Sequence, residues 1–309
     1  MSELTPKDIQ GDILHRLPKN YENFLFFHIN DPKQFRGAVP KLLELQPPAT
    51  GEHVIEARRQ LSTWDKSQGM MPLSFFNIGF SKDGLQALGI NHSLLGDHHF
   101  SRGQLEEAQE LGDPMVMKNG NLVPNWEVEF LELTQARKIH GIILVAGEEN
   151  NVNNHGAEIL KVLAGAASVV YQVEGNTLSP RGTEHFGWMD GISNPVVPGL
   201  TRDDPTVGQR VVEPGVLLLG AKGDPKQHDR PDWALGGSFM VFRKLKQYVP
   251  EFKQFLIETA IKQGADPSDP SGLKDAVRLL CARVFGRWKS GAPLQLTPFK
   301  DDPEFITSQ

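Results

Sequence analysis

One stretch carries an acid in a setting suited to proton transfer. In "EHFGWMDGISNP", residues 184–195, Asp190 lies between Met189 and Gly191, with His185, Gly187 and Trp188 just upstream. A carboxylate that shares a small site with a bound molecule can take a proton from one of its atoms and return it to another. The same letters also spell turns. Gly accepts positive φ, and Pro fixes its own φ and moves the preceding residue out of the helical region, so Asp-Gly and Asn-Pro mark chain reversals without any chemistry. By itself the stretch leaves both readings open.

The other reactive side chains form weaker patterns. "GDHHF" sets His98 beside His99 in a polar loop, where they read as solvated and could bind a metal only with acids arriving from elsewhere in the fold. Cys281 is the only cysteine, which rules out an intrachain disulfide, and "VRLLCARVF" places it on an apolar helix face where a lone thiol is buried. No HExxH, Walker A or paired-cysteine zinc spacing occurs. Trp126, Trp233, Trp288 and Tyr248 read as core, or as electron relays if exposed near a cofactor.

These residues need a frame, and the hydrophobic patterning supplies one. Strands are expected at 22–29, 72–80, 139–147 and 168–175. Asp31-Pro32 gives an N-cap and a first-turn proline to a helix over 33–45, which Pro40 is expected to kink or shorten. Further helices are expected at 82–89 and 155–167. The order β-α-β, β-α-β implies an α+β fold of the ferredoxin-like (βαββαβ) kind, an antiparallel four-stranded sheet with both helices on one face.

Three regions follow from this pattern. Residues 5–180 make a complete ferredoxin-like domain, 181–235 hold the Asp190 loop and a connecting segment, and 236–309 start a second ferredoxin-like domain. The last region offers a strand at 236–245 and helices at 248–264 and 273–291 before a Pro-rich stretch, so its sheet reads as incomplete. An incomplete sheet exposes an edge, which points to self-association through it.

Composition excludes more than it identifies. The chain has 309 residues, enough for about two domains, and its hydrophobic fraction of 39% and charged fraction of 23% are those of a globular protein. A net charge of -6 gives no reason to expect nucleic acid or an anionic membrane as partner. The start, "MSELTPKDIQGDIL", lacks the apolar core of a signal peptide, and no apolar run reaches membrane-spanning length. A cytoplasmic location is the expectation, with an extracellular one left open.

Four blocks then carry a resemblance: "IQGDIL" at 9–14, "EHFGWMDGISNP" at 184–195, "GSFMVFRKL" at 237–245 and "GRWKSGAPL" at 286–294. In order and spacing, over essentially the whole chain, they resemble the dye-decolourising peroxidases, specifically the longer fungal-type members. The resemblance implies haem b held in the second of two ferredoxin-like units, and an enzyme that uses hydrogen peroxide to oxidise dyes and phenolic or other aromatic substrates. It makes Asp190 the distal acid-base residue, and Gly187, Trp188, Met189, Asp190, Gly191, Ile192 and Ser193 the loop that lines the cofactor. Burial among Trp188, Met189 and the ring would then raise the pKa of Asp190.

The same resemblance places the family's proximal histidine and distal arginine downstream of the block matching "GRWKSGAPL", whereas this sequence ends at Gln309. The expectation is therefore that the carboxy-terminal region is missing and that this chain alone is impaired. Its iron ligand stays unidentified: His185 reads as a hydrogen-bonding partner in the distal motif, and His228 in "KQHDRPDW" as the least implausible substitute. A non-catalytic binding or assembly module derived from the same fold is the alternative.

Overall fold

Three strands rich in buried residues, and a fourth with none fully buried, build the main sheet of the first unit. The computed structural model describes residues 4–131, 138–178, 182–192, 194–201, 204–205 and 209–304. It divides into unit 1, comprising Met1–Asn176, Pro198–Thr201 and Glu213–Met240, and unit 2, comprising Thr177–Val197, Arg202–Val212 and Val241–Gln309. In chain order unit 1 contains α1 (Gly11–Leu14), β1 (Tyr21–Ile29), α2 (Pro32–Leu45), α3 (Gly51–Thr63), β2 (Ser74–Phe80), α4 (Lys82–Ala87), α5 (His98–Arg102) and α6 (Gln104–Glu107). The hairpin β3 (Met115–Lys118) and β4 (Asn121–Pro124) follows, then β5 (Gly141–Gly147), α7 (Glu149–Leu163) and β6 (Ala167–Asn176).

The main sheet has the order β2-β5-β1-β6, with every pair antiparallel, which is the ferredoxin-like topology expected from the sequence. Tyr21, Leu25, Phe27 and Ile29 of β1, Phe76 of β2, and Ile143 and Val145 of β5 point to one face. There they bury Phe35, Ala38 and Leu42 of α2 together with Val152, Ile159 and Leu163 of α7. Asp31 caps α2 as expected, its Oδ1 accepting from the backbone N–H of Lys33 at 2.8 Å and of Gln34 at 3.0 Å.

Several local expectations are corrected. Pro40 does not shorten α2, which runs on to Leu45. The bond it forgoes would end on the carbonyl of Arg36, and both residues lie on the exposed side where water can substitute. The helix expected at 155–167 begins earlier, at Glu149, because Glu148 caps it by accepting from the N–H groups of Asn150 and Asn151. Helix α3 was not anticipated. It covers the opposite face of the sheet, where Val54 and Ala57 pack with Leu17, Phe75, Leu144 and Ala146.

The edge strand β2 is closed by side-chain hydrogen bonds. Gln10 Oε1 accepts from the N–H of Ile78 at 2.8 Å and its Nε2 donates to the carbonyl of the same residue at 3.0 Å, so one amide completes the ladder where no strand lies. This gives the block "IQGDIL" a structural role.

Unit 2 contains α8 (Val249–Lys262) and α9 (Pro270–Phe285), which pack together. The strand expected at 236–245 is not among its described elements: residues 237–248 carry no assigned ladder. Strand propensity measures fit to a pleated, half-buried surface, and no described strand of unit 2 offers one. The helix expected at 273–291 stops at Phe285, where Gly286 takes a left-handed C-cap. No described helix is long and apolar enough to cross a membrane.

Candidate functional site

The Asp190 loop is held by a carboxylate that sequence reading passed over. Glu184 Oε1 accepts from the N–H of Trp188 and Oε2 from the N–H of Phe186, both at 2.8 Å, while Gln247 Nε2 donates to Oε2 at 2.8 Å. Backbone bonds from Glu184 N–H to Trp188 carbonyl (3.0 Å) and from Gly187 N–H to Glu184 carbonyl (2.9 Å) close the turn. Desolvation pushes the Glu184 carboxyl up, but these donors outweigh it and hold its pKa below the ordinary value. Gly187 sits at φ 95° and Gly191 at φ 76°, the left-handed backbone that bends the loop before and after Trp188-Met189-Asp190.

Trp188 anchors the loop from beneath. It is buried, stacks on Phe285 with ring centroids 3.9 Å apart and an interplanar angle of 22°, and donates through Nε1 to the carbonyl of Arg287 at 2.9 Å. Leu256, Cys281, Phe186 and Phe252 complete this core. Cys281 is buried as expected, and burial pushes its thiol pKa up. Lys289 ties the loop to the turn after α9: its carbonyl accepts from Met189 N–H at 3.0 Å, and its Nζ donates to the Phe186 carbonyl at 3.0 Å. The blocks "EHFGWMDGISNP" and "GRWKSGAPL" are thus one structural device.

On this base Asp190 is exposed. Its N–H donates to the Gly182 carbonyl at 2.7 Å, and its Oδ1 accepts from the N–H of Gly191 at 2.8 Å. The backbone is fixed and the carboxylate faces outward, which suits it to exchange a proton with a molecule docked against the loop. Met189 is 39% exposed and apolar, and so offers that molecule a hydrophobic contact. Gly191 is exposed and Ile192 half-buried, while Ser193 lies outside the described residues.

The histidines do not gather here. His185 is exposed on the same loop and is the only histidine in the sequence of unit 2. His228 lies in the stretch 213–240 of unit 1 and is exposed in a loop. His98 and His99 belong to α5 of unit 1.

Comparison with known proteins agrees with this frame. The family model described as "DyP dimeric alpha+beta barrel domain" matches residues 8–179. A dye-decolorizing peroxidase of Mycena epipterygia is 38% identical over 301 residues, covering 96% of this chain and 51% of that protein. A solved mutant of the dye-decolorizing peroxidase from Pleurotus ostreatus superposes with a TM-score of 0.86 at 38% identity, covering 98% of this chain and 62% of that one. A dye-decolorizing peroxidase in complex with 2,6-dimethoxyphenol gives a TM-score of 0.78 at 37% identity, covering 96% of this chain and 61% of that one. The chain spans about half the length of the curated relatives it matches.

Proposed function

Because the chain belongs to the dye-decolourising peroxidase family, we propose that it is part of a haem-dependent peroxidase oxidising dyes and phenolic compounds with hydrogen peroxide. The observation that carries the reading is Asp190: an exposed carboxylate on a backbone clamped at Gly182 and Gly191, in the family's loop. Haem b, when bound, supplies the one-electron oxidising chemistry that no side chain has.

The exposed residues of the loop, Met189, Asp190 and Gly191, would be the ones to line such a group. Asp190 takes a proton from one peroxide oxygen and delivers it to the other, directly or through one water. Met189 and Gly191 offer exposed contact, and Trp188, being buried, acts by holding them in place. His185, the one histidine in the sequence of unit 2, shares the loop with Asp190, and we assign it no ligand role. On this reading the iron ligand is not among the residues of the Asp190 loop, and we expect this chain alone to be a poor peroxidase. Self-association belongs to the same reading, supported by Val241 and Leu245, which are apolar yet 69% and 72% exposed.

The test is haem reconstitution of this chain and of a version extended to the length of its relatives, each with and without Asp190→Asn, read by Soret absorption and by peroxide-dependent oxidation of 2,6-dimethoxyphenol. In the long version the substitution lowers oxidation by about 100-fold or more with the Soret band retained. In the short chain it changes little, activity being near that of free haem. Rapid, Asp190-dependent oxidation by the short chain would place the ligand within it, at His185 or His228. Failure of both lengths to bind haem would favour the non-catalytic module.

A further inference from the structure

The histidine pair of "GDHHF" lacks only an acid to make a metal site, and the fold brings one. Helix α5 carries His98 and His99, and α6 carries Glu107, whose side chain is only 7% exposed while the two imidazoles are 72% and 79% exposed. His99 Nδ1 lies 2.9 Å from Glu107 Oε1 and 3.1 Å from Oε2, and His98 Nδ1 lies 4.0 Å from Oε1. One ligand atom from each of the three residues falls within 4.8 Å of the others.

These distances decide the chemistry. Zn–N bonds of about 2.0–2.1 Å in a tetrahedron put neighbouring donors roughly 3.3 Å apart. The separations from Glu107, 2.9 and 4.0 Å, bracket that value, and with all three ligand atoms within 4.8 Å of one another, rotation of the two exposed imidazoles brings the donors into range. Two imidazoles and one carboxylate form a donor set of borderline softness that suits Zn²⁺, whereas Ca²⁺ and Mg²⁺ require more oxygen ligands. The buried carboxylate is the fixed member and the surface imidazoles close over it.

Surrounding charge is compatible with a cation. Arg102 NH1 approaches Glu107 Oε1 at 3.5 Å, but its guanidinium is held bidentate by Glu110 at 2.9 and 3.0 Å. Lys82 Nζ is paired with Glu106 at 2.7 Å. Glu110 and Glu106 thus take the nearest contacts of Arg102 and Lys82. Without metal, the short His99–Glu107 contact is a hydrogen bond, and the proton in it must leave when the ion enters.

We propose that His98, His99 and Glu107 form a Zn²⁺ site with an open fourth position for water, clipping α5 to α6. Its residues belong to unit 1, and its formation does not depend on haem.

The experiment is Zn²⁺ titration of the chain, prepared without a histidine tag, by isothermal calorimetry. His98→Gln and His99→Gln are titrated alongside, with circular dichroism to verify that these exposed changes leave the fold intact. One ion per chain is expected, with affinity falling at least about tenfold in each variant. No binding below the millimolar range, or a smaller change in either variant, overturns the site. Cu²⁺ added to the unsubstituted protein gives a second reading that needs no variant: paramagnetic broadening should fall first on the His98 and His99 ring signals. Broadening elsewhere first also overturns it.

Discussion

Lys289 Nζ lies 4.7 Å from the centre of the Trp188 ring while donating to the carbonyl of Phe186, so the turn after α9 grips the Asp190 loop through its cation and its backbone together. A cation over an indole is worth about 0.5–1 kcal/mol near a surface. Lys289→Met keeps the stem but removes the charge and the donor. We expect a loss of about 1–2 kcal/mol by chemical denaturation, with faster amide exchange at Phe186 and Met189.

Glu184 controls the loop more directly, since its carboxylate accepts from two backbone N–H groups that nothing else described satisfies. Glu184→Ala leaves both without that partner and is expected to lower stability by about 1–3 kcal/mol. Its folded pKa is depressed, so its contribution is present above the unfolded value of 4.5 and fades as pH falls below it. The denaturation midpoint of Glu184→Ala should therefore approach that of the unsubstituted chain as the pH is lowered.

How far these elements could be read from sequence depends on whether their partners are near in the chain. Asp31-Pro32 announces α2 because cap, proline and helix are contiguous. The β3–β4 hairpin was legible too, since Asn119 at φ 52° and Gly120 at φ 80° make the Asn-Gly turn that fits a hairpin. Each of its strands has only four residues, too few for an alternating pattern to show. Helix α3 was hidden by its composition, with only Gly51, Val54 and Ala57 buried along it. Glu184, Lys289 and Glu107 matter through contacts that exist only after folding, so no local pattern marks them. Asp190 stands out as a candidate only because its loop resembles a known one.

Gly11 is a space constraint rather than a hinge. A Cβ added there would lie 2.6 Å from Val54 Cγ2 and 2.8 Å from the Thr50 carbonyl oxygen, and the latter is backbone that cannot step aside. Gly11 N–H also donates to the Ala49 carbonyl at 2.7 Å, fixing its position. Gly11→Ala is expected to cost about 1–3 kcal/mol through overpacking. Gln10→Ala should instead act on the β2 edge, raising amide exchange at Ile78 in particular.

Asp224 and Arg230 form the most enclosed ion pair described, with side chains 1% and 8% exposed and two contacts of 2.8 Å. Asp224 also accepts from the N–H groups of Gly220 and Lys226, and its carboxyl is held far below its ordinary pKa, first by Arg230. Asp224→Asn leaves a buried guanidinium without its counter-charge, for which about 3–5 kcal/mol is the usual loss. Urea denaturation should show it, with m unchanged.

His140 sets a different limit at mild acidity. It is buried, stacks on His28 with ring centroids 4.2 Å apart, and its Nδ1 accepts the N–H of Ile29 at 3.0 Å. A protonated Nδ1 cannot accept, so the folded state requires the neutral ring. Burial and then the charge of His28 push its pKa down from 6.5 to about 4. Between those values the unfolded chain binds a proton that the native chain refuses, so stability is full above 6.5 and declines as pH falls toward 4. His155 and His15, also depressed mainly by burial, act in the same direction. The His140 contribution amounts to roughly 2–3 kcal/mol between about pH 7 and pH 4.5. His140→Asn retains an acceptor near the Nδ1 position without a titrating ring. Its denaturation free energy should therefore fall less steeply over that range than that of the unsubstituted chain. Parallel slopes would show that His140 already takes up its proton in the folded state.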